Sequence, residues 1–161
     1  MFCHTNPWIT LAWCLLGDGD RALETYLAIC PSTREDRAET YRCEPYVYAQ
    51  TIAGRDAATP GEAKNSWLTG TAAWTLVSGM QGLLGIVPDY AGLRIDPCVP
   101  RGWDSFRVVR RFRGTLYEID VLNPEGAGRG VQSLRVNGQE IEGNLVEPQA
   151  GPGPVRVEVS L

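Results

Sequence analysis

Apolar residues recur at intervals of three and four from Trp8 through Leu11, Ala12, Leu15 and Leu16, and the run is bracketed by Pro7 and Gly17. That spacing lines one face of a helix. Proline suits a first helical position, where an N–H would have no intrahelical acceptor, and glycine suits the residue just past the end. Asp18-Gly19-Asp20 then predicts the cap of a second helix over Arg21 to Ile29, stopped by Pro31. A third short helix is expected after Glu44-Pro45, carrying Tyr46, Val47, Tyr48 and Gln50 as far as Gly54, and a fourth from near Thr69 to Gly85. Short connections of this kind favour helices packed as antiparallel hairpins.

Beyond Asp89 the period changes to two. Phe106, Val108, Arg110 and Phe112 alternate with Arg107, Val109, Arg111 and Arg113, although Val109 and Arg110 blur the two faces. Tyr117, Ile119 and Val121 alternate with Glu118 and Asp120, and Val155, Val157 and Val159 with Arg156 and Glu158, so these are strands with one wet face. Asn137-Gly138 predicts a type I′ hairpin turn, because both residues tolerate the positive φ that the turn needs. The segments 124–130 and 148–154 are rich in glycine and proline and read as loops. The pattern as a whole is α+β, helices first and then an antiparallel sandwich.

The chain's 161 residues, 43% of them apolar, suffice for a packed core in one domain or two small ones. A net charge of −4 without a long basic run argues against nucleic acid as a partner. Arg107, Arg110, Arg111 and Arg113 are divided by the strand alternation between two faces, which favours a solvated or inter-domain surface. Ile9 to Leu16 is too short to span a bilayer and follows no basic segment, so neither a membrane helix nor a signal peptide is indicated. Cys3, Cys14, Cys30, Cys43 and Cys98 show no CxxC spacing, and a single histidine accompanies them. That set supports neither a metal site nor a disulfide framework, and reduced cysteines used as small apolar residues suit a cytoplasmic protein.

The stretch from Gly61 to Trp74 carries the strongest chemical signal. It runs from a polar loop through Thr69-Gly70-Thr71 into a helix, where unpaired N–H groups and small residues let an anion approach the backbone. An ordinary threonine-capped helix has the same pattern, and the residues alone leave both readings open. His4 lies just before the first helix and could face out of its loop or serve as a structural hydrogen-bonder. Glu44, Glu62, Asp89 and Asp96 fall in loops or at element ends, where capping, ion pairing and acid catalysis are equally open. Trp8, Trp67, Trp74 and Trp103 could stack on sugars or fill a core. No catalytic triad and no GxxxxGK[ST] loop is present. The helices and sheet do not by themselves close an obvious core, so a segment upstream of Met1 is expected.

Four segments taken together, Phe2 to Trp8, Arg42 to Gln50, Gly61 to Trp74 and Asp96 to Pro100, closely resemble the C-terminal part of the glycoside phosphorylases of glycoside hydrolase family 94 in both order and spacing. The Gly-Glu-Ala-Lys-Asn-Ser-Trp version is more similar to the cellobiose and chitobiose phosphorylases than to the cyclic glucan synthases that share the fold. The resemblance implies that residues 1–88 are the last helices of an (α/α)6 catalytic toroid and that residues 89–161 form a C-terminal jelly-roll-like β-sandwich with its connecting segment. It implies inverting phosphorolysis of a β-linked disaccharide, with inorganic phosphate as co-substrate, no further cofactor and a homodimeric full-length protein. The family's phosphate-binding histidine falls on His4, its glutamine on Gln50 and its Thr-Gly pair on Thr69 and Gly70. The general-acid aspartate of the family lies upstream of Met1, so this chain alone is expected to be inactive. The alternative is a non-catalytic carbohydrate-binding or scaffolding module.

Overall fold

The computed structural model describes residues 1–149, 151 and 153–161. Helix α1, Asn6–Leu16, has Pro7 in its first turn and ends on Gly17, whose φ of 81° places it in the left-handed region. Helix α2, Gly19–Ile29, begins where the Asp18 carboxylate accepts a hydrogen bond from the Arg21 N–H at 3.0 Å. A 3₁₀ segment, Pro31–Arg37, leads into the single turn α3, Ala38–Tyr41. Two short strands follow, β1 at Thr51–Ile52 and β2 at Ala63–Lys64, paired antiparallel. Helix α4, Thr71–Val77, continues without a break into a π-helical segment, Ser78–Leu83, and the chain turns at Gly85 with φ of 64°. Glycines in that segment bring the helices together: a Cβ on Gly79 would lie 3.2 Å from the Tyr26 ring, and one on Gly82 3.0 Å from Leu11 and 3.2 Å from the Cys14 sulfur.

The third expected helix is not formed. Val47 and Ala49 are buried while Tyr46 is exposed and Tyr48 and Gln50 are half-buried, so Tyr46 to Gln50 follows a two-residue period leading into β1. Aromatic and β-branched side chains in this stretch fit an extended backbone, and its hydrogen bonds go to the neighbouring segment instead of up a helix: the Gln50 N–H donates to Lys64 O at 3.2 Å.

The remaining strands are β3 (Ile86–Pro88), β4 (Leu93–Ile95), β5 (Ser105–Phe112), β6 (Thr115–Leu122), β7 (Ser133–Val136), β8 (Gln139–Ile141), β9 (Leu145–Val146) and β10 (Val155–Ser160). They form a three-stranded sheet in the order β3-β4-β9 and a five-stranded sheet in the order β5-β6-β10-β7-β8. The second sheet is mixed, which corrects the all-antiparallel expectation. Strand β10 runs parallel to β6, with Val157 opposite Ile119, and antiparallel to β7, with Val157 opposite Val136. Equal spacing of valines in β10 fits either direction, so alternation could not choose between them. The Asn137-Gly138 turn does join β7 to β8, with φ of 50° and 82° and Val136 opposite Gln139. Segment 124–130 is a loop; of the expected loop over 148–154, positions 150 and 152 lie outside the described residues.

Both sheets contribute to one core. Ile86, Leu93, Ile95 and Val146 from the small sheet meet Tyr117, Ile119, Val121, Leu134 and Val157 from the large one, all essentially inaccessible to water. Each such side chain contributes about 1.5–3 kcal/mol by burial. A separate, smaller cluster of Cys14, Ala22, Leu83 and Cys98 seats the helices. Among the described residues, no helix is long and apolar enough to cross a membrane.

Candidate functional site

Backbone pairing at the N-terminus sets the geometry. Met1 to Cys3 lies alongside β1: the Ile52 N–H donates to Met1 O at 2.8 Å, the Cys3 N–H donates to Gln50 O at 2.7 Å, and Phe2 bridges to Thr51. His4 therefore emerges between this small sheet and the start of α1, one residue from the partner of Gln50. Helix α4 arrives at the same place, because the buried Thr71 hydroxyl donates to Ala49 O at 3.3 Å.

Gly70, at the start of α4, lies directly against the imidazole. A Cβ built on it would sit 2.3 Å from His4 Cε1 and 2.7 Å from Nε2, closer than any side chain can come. Only a residue without a side chain lets ring and backbone share this spot. Beside them, the Thr69 hydroxyl accepts from the Thr71 N–H at 3.0 Å and lies 2.7 Å from the Thr71 hydroxyl. Gln50 reaches the same loop: its amide nitrogen donates to Leu68 O at 3.2 Å, and its amide oxygen accepts from Asn65 Nδ2 at 3.0 Å. His4, Gln50, Thr69 and Gly70 are thus gathered from three chain segments, and all four are half-buried.

An aromatic row backs the imidazole. Phe2 stacks on His4 with centroids 5.7 Å apart, Trp8 meets His4 edge-on at 6.3 Å, and Trp74 meets Trp8 edge-on at 5.6 Å. These contacts restrict the ring's orientation without using either of its nitrogens. A cavity of about 470 Å³ lined by Met1, Asn6, Ile29, Tyr41 and Ile52 includes none of the four residues.

The loop carboxylates are not part of this cluster. Glu62 pairs with Lys64 at 2.7 Å, which lowers its pKa. Asp89 accepts from the Ala91 N–H and pairs with Arg94 at 2.6 Å, which holds it below the usual carboxylate range. Glu44 accepts from a backbone N–H and from the Trp67 indole, with the same effect on its pKa. Asp96 lies near Cys98 and Arg129, beside Leu11, Cys14 and Leu15 of α1. Arg110 turns inward to donate to Ile86 O at 2.8 Å, whereas Arg107 faces out against Glu118 and Asp120. Trp103 packs on Phe106 at the edge of the sheet core.

Sequence reasoning missed Asn65 and Phe2. Asn65 had a signal, an asparagine in a polar loop ahead of a helix, since asparagine is among the few residues that accept the left-handed backbone it adopts here, with φ of 53°. Phe2 had none, because its stack on His4 depends on the pairing of Met1 to Cys3 with the distant β1.

Residues 1–85, which include all four gathered residues, match the catalytic domain of the Glycosyl hydrolase 94 superfamily, and the chain belongs to that family. Its individual relatives include several phosphorylases and a cyclic beta-(1,2)-glucan synthase. It is 41% identical to the N,N'-diacetylchitobiose phosphorylase of Vibrio furnissii over 98% of this chain and 20% of that protein. The corresponding enzyme of Vibrio proteolyticus is 41% identical over 100% of the chain and 20% of its own length. The solabiose phosphorylase of Paenibacillus borealis is 33% identical over 99% of the chain and 21% of its own length. The chain thus spans about a fifth of the length of these relatives.

Proposed function

We propose that this chain is the C-terminal part of an inverting glycoside phosphorylase, which cleaves a β-linked disaccharide of the cellobiose or chitobiose type with inorganic phosphate and releases an α-sugar 1-phosphate. Its own contribution is the phosphate site. Met1 to Pro88 supplies the last helices of an (α/α)6 toroid, and the remainder forms a C-terminal β-domain. The helices and the sheets have separate hydrophobic clusters, with Ile86 joining the sheet cluster and Cys98 the helical one. The full-length protein acts as a homodimer in the cytoplasm.

The observation that carries this reading is the contact of the His4 imidazole with the Gly70 backbone, flanked by the Thr69 hydroxyl and the Gln50 amide. An imidazole, an amide N–H, a hydroxyl and a glycine backbone on neighbouring residues suit a tetrahedral oxyanion. Hydrolytic inverting enzymes need a second carboxylate to activate water. Phosphate is already an anion and needs no such base, so the protein must instead hold it in line with the anomeric carbon and offset its charge as the bond forms. A carboxylic acid from outside this chain protonates the leaving oxygen. Without it the chain is inactive.

The test is to incubate the complete polypeptide with cellobiose or diacetylchitobiose and phosphate, and to follow the sugar 1-phosphate by phosphorus NMR. An α-anomeric product formed only when phosphate is present is expected; cleavage independent of phosphate overturns the proposal. Thr69→Val should raise the KM for phosphate while leaving that for the disaccharide nearly unchanged. Equal losses in both would assign Thr69 a structural role.

A further inference from the structure

We infer that Asn65 is a positioning residue that, together with the Leu68 carbonyl, locks the Gln50 amide in one orientation at the phosphate site. This rests on the reading above and deepens it. The two ends of a primary amide are nearly identical in shape and opposite in hydrogen-bonding character, so the neighbours decide which way it points. Leu68 O can only accept, so the Gln50 end 3.2 Å from it is the NH₂ group. The opposite end is then Oε1, and it lies 3.0 Å from Asn65, which must present its own NH₂ there. One unambiguous carbonyl thus fixes the polarity of both side chains in turn.

The count of hydrogens then matters. Gln50 Nε2 carries two, of which Leu68 O takes one; on the reading above, the second is the one offered to phosphate. Asn65 supplies the described partner of Oε1. Without it the amide is held at one end alone, and its second N–H is no longer aimed in one direction. Asn65 is suited to this place twice over. Its φ of 53° excludes most side chains at low cost, and among the residues that accept such a backbone asparagine offers a side-chain N–H donor.

The experiment uses the complete polypeptide and measures KM for phosphate and for disaccharide separately. Asn65→Gly keeps the left-handed backbone relaxed and deletes the amide without adding charge. The expected result is a rise of about tenfold in the KM for phosphate, the size of one lost hydrogen bond, with the disaccharide KM changed by less than about twofold. Asn65→Asp keeps the shape but replaces the donor by an acceptor. It should raise the phosphate KM further, and the rise should persist at about 1 M salt, where long-range repulsion is screened. Gln50→Ala is the reference, and combining it with Asn65→Gly should cost little beyond Gln50→Ala alone. If Gln50→Ala raises the phosphate KM and Asn65→Gly does not, the positioning role is wrong and the phosphate site stands. If Asn65→Gly moves both KM values equally, Asn65 is merely structural. If neither variant affects phosphate, the assignment of the site itself fails.

Discussion

A methyl group on Gly70 would overlap the His4 imidazole, 2.3 Å from Cε1, although the two residues are 66 positions apart in the chain. Gly70 has φ of −75°, a conformation any residue adopts, so the glycine is needed here for space and not for backbone freedom. Gly70→Ala should therefore leave the helix intact and displace the ring. The expected outcome is a rise of about tenfold or more in the KM for phosphate, with an unchanged far-ultraviolet circular dichroism spectrum. In the background of His4→Ala, adding Gly70→Ala should do almost nothing, because no ring is left to displace. A full additional loss in the double variant would show that Gly70 acts on something other than His4.

Gly85 presents the opposite case. Its φ is 64°, and a Cβ there would lie 2.1 Å from the carbonyl carbon and oxygen of Asp96, backbone atoms held in place by the Asp96 N–H bond to Gly85 O at 2.8 Å. Both conformation and space forbid a side chain at the point where the π-helical segment turns into β3. Gly85→Ala should destabilise the fold by about 2–4 kcal/mol, read from urea denaturation. Gly102→Ala, where a Cβ meets nothing within 4 Å, should be near neutral and serves as the control.

The β3–β4 turn gives a pH dependence. The Ala91 N–H and the Arg94 guanidinium both favour ionised Asp89, so its folded pKa lies below its unfolded value. The stabilisation it provides is complete above the usual carboxylate range and is lost as the pH falls through the depressed folded value. Asp89→Asn should lower the melting temperature at neutral pH and narrow the difference from the parent chain as the solution is acidified. A difference that stays constant down to the lowest pH would exclude Asp89 as its source.

The 161-residue chain by itself should associate. Leu15 is 78% exposed, Leu16 75%, Leu76 65% and Trp8 46%, a concentration of apolar surface on the helices that soluble monomers rarely leave open. Light scattering coupled to gel filtration should report oligomers and a broad, concentration-dependent thermal transition. Leu15→Lys combined with Leu16→Glu should shift the distribution toward monomer; a sharply melting monomer of the parent chain would count against the idea.

Much of the local structure was legible because its causes are local. Pro7 and Gly17 bracket α1, Asp18 caps α2, Asn137-Gly138 makes its turn, and the buried-exposed alternation of β10 matches its valines. Each depends on a residue and its immediate neighbours, and φ preferences, capping and side-chain period are properties of such short windows. The extended run Tyr46 to Gln50 escaped that reading because the backbone hydrogen bonds at its end, Gln50, are made with Cys3 and Lys64, whose positions no local window contains.

The sequence by itself determined the composition of the candidate site and its family signature: an imidazole, an amide, a hydroxyl and a glycine, each in a recognisable segment. Tertiary structure decided that His4 and Gly70 meet, that β10 lies parallel to β6, and that Asn65 answers the oxygen of Gln50. The reason is physical. Hydrogen-bond polarity and steric exclusion act over a few ångströms in space, and the pairings that bring Met1 to Cys3 beside β1 and α4 beside Ala49 are selected by the free energy of the whole packed chain.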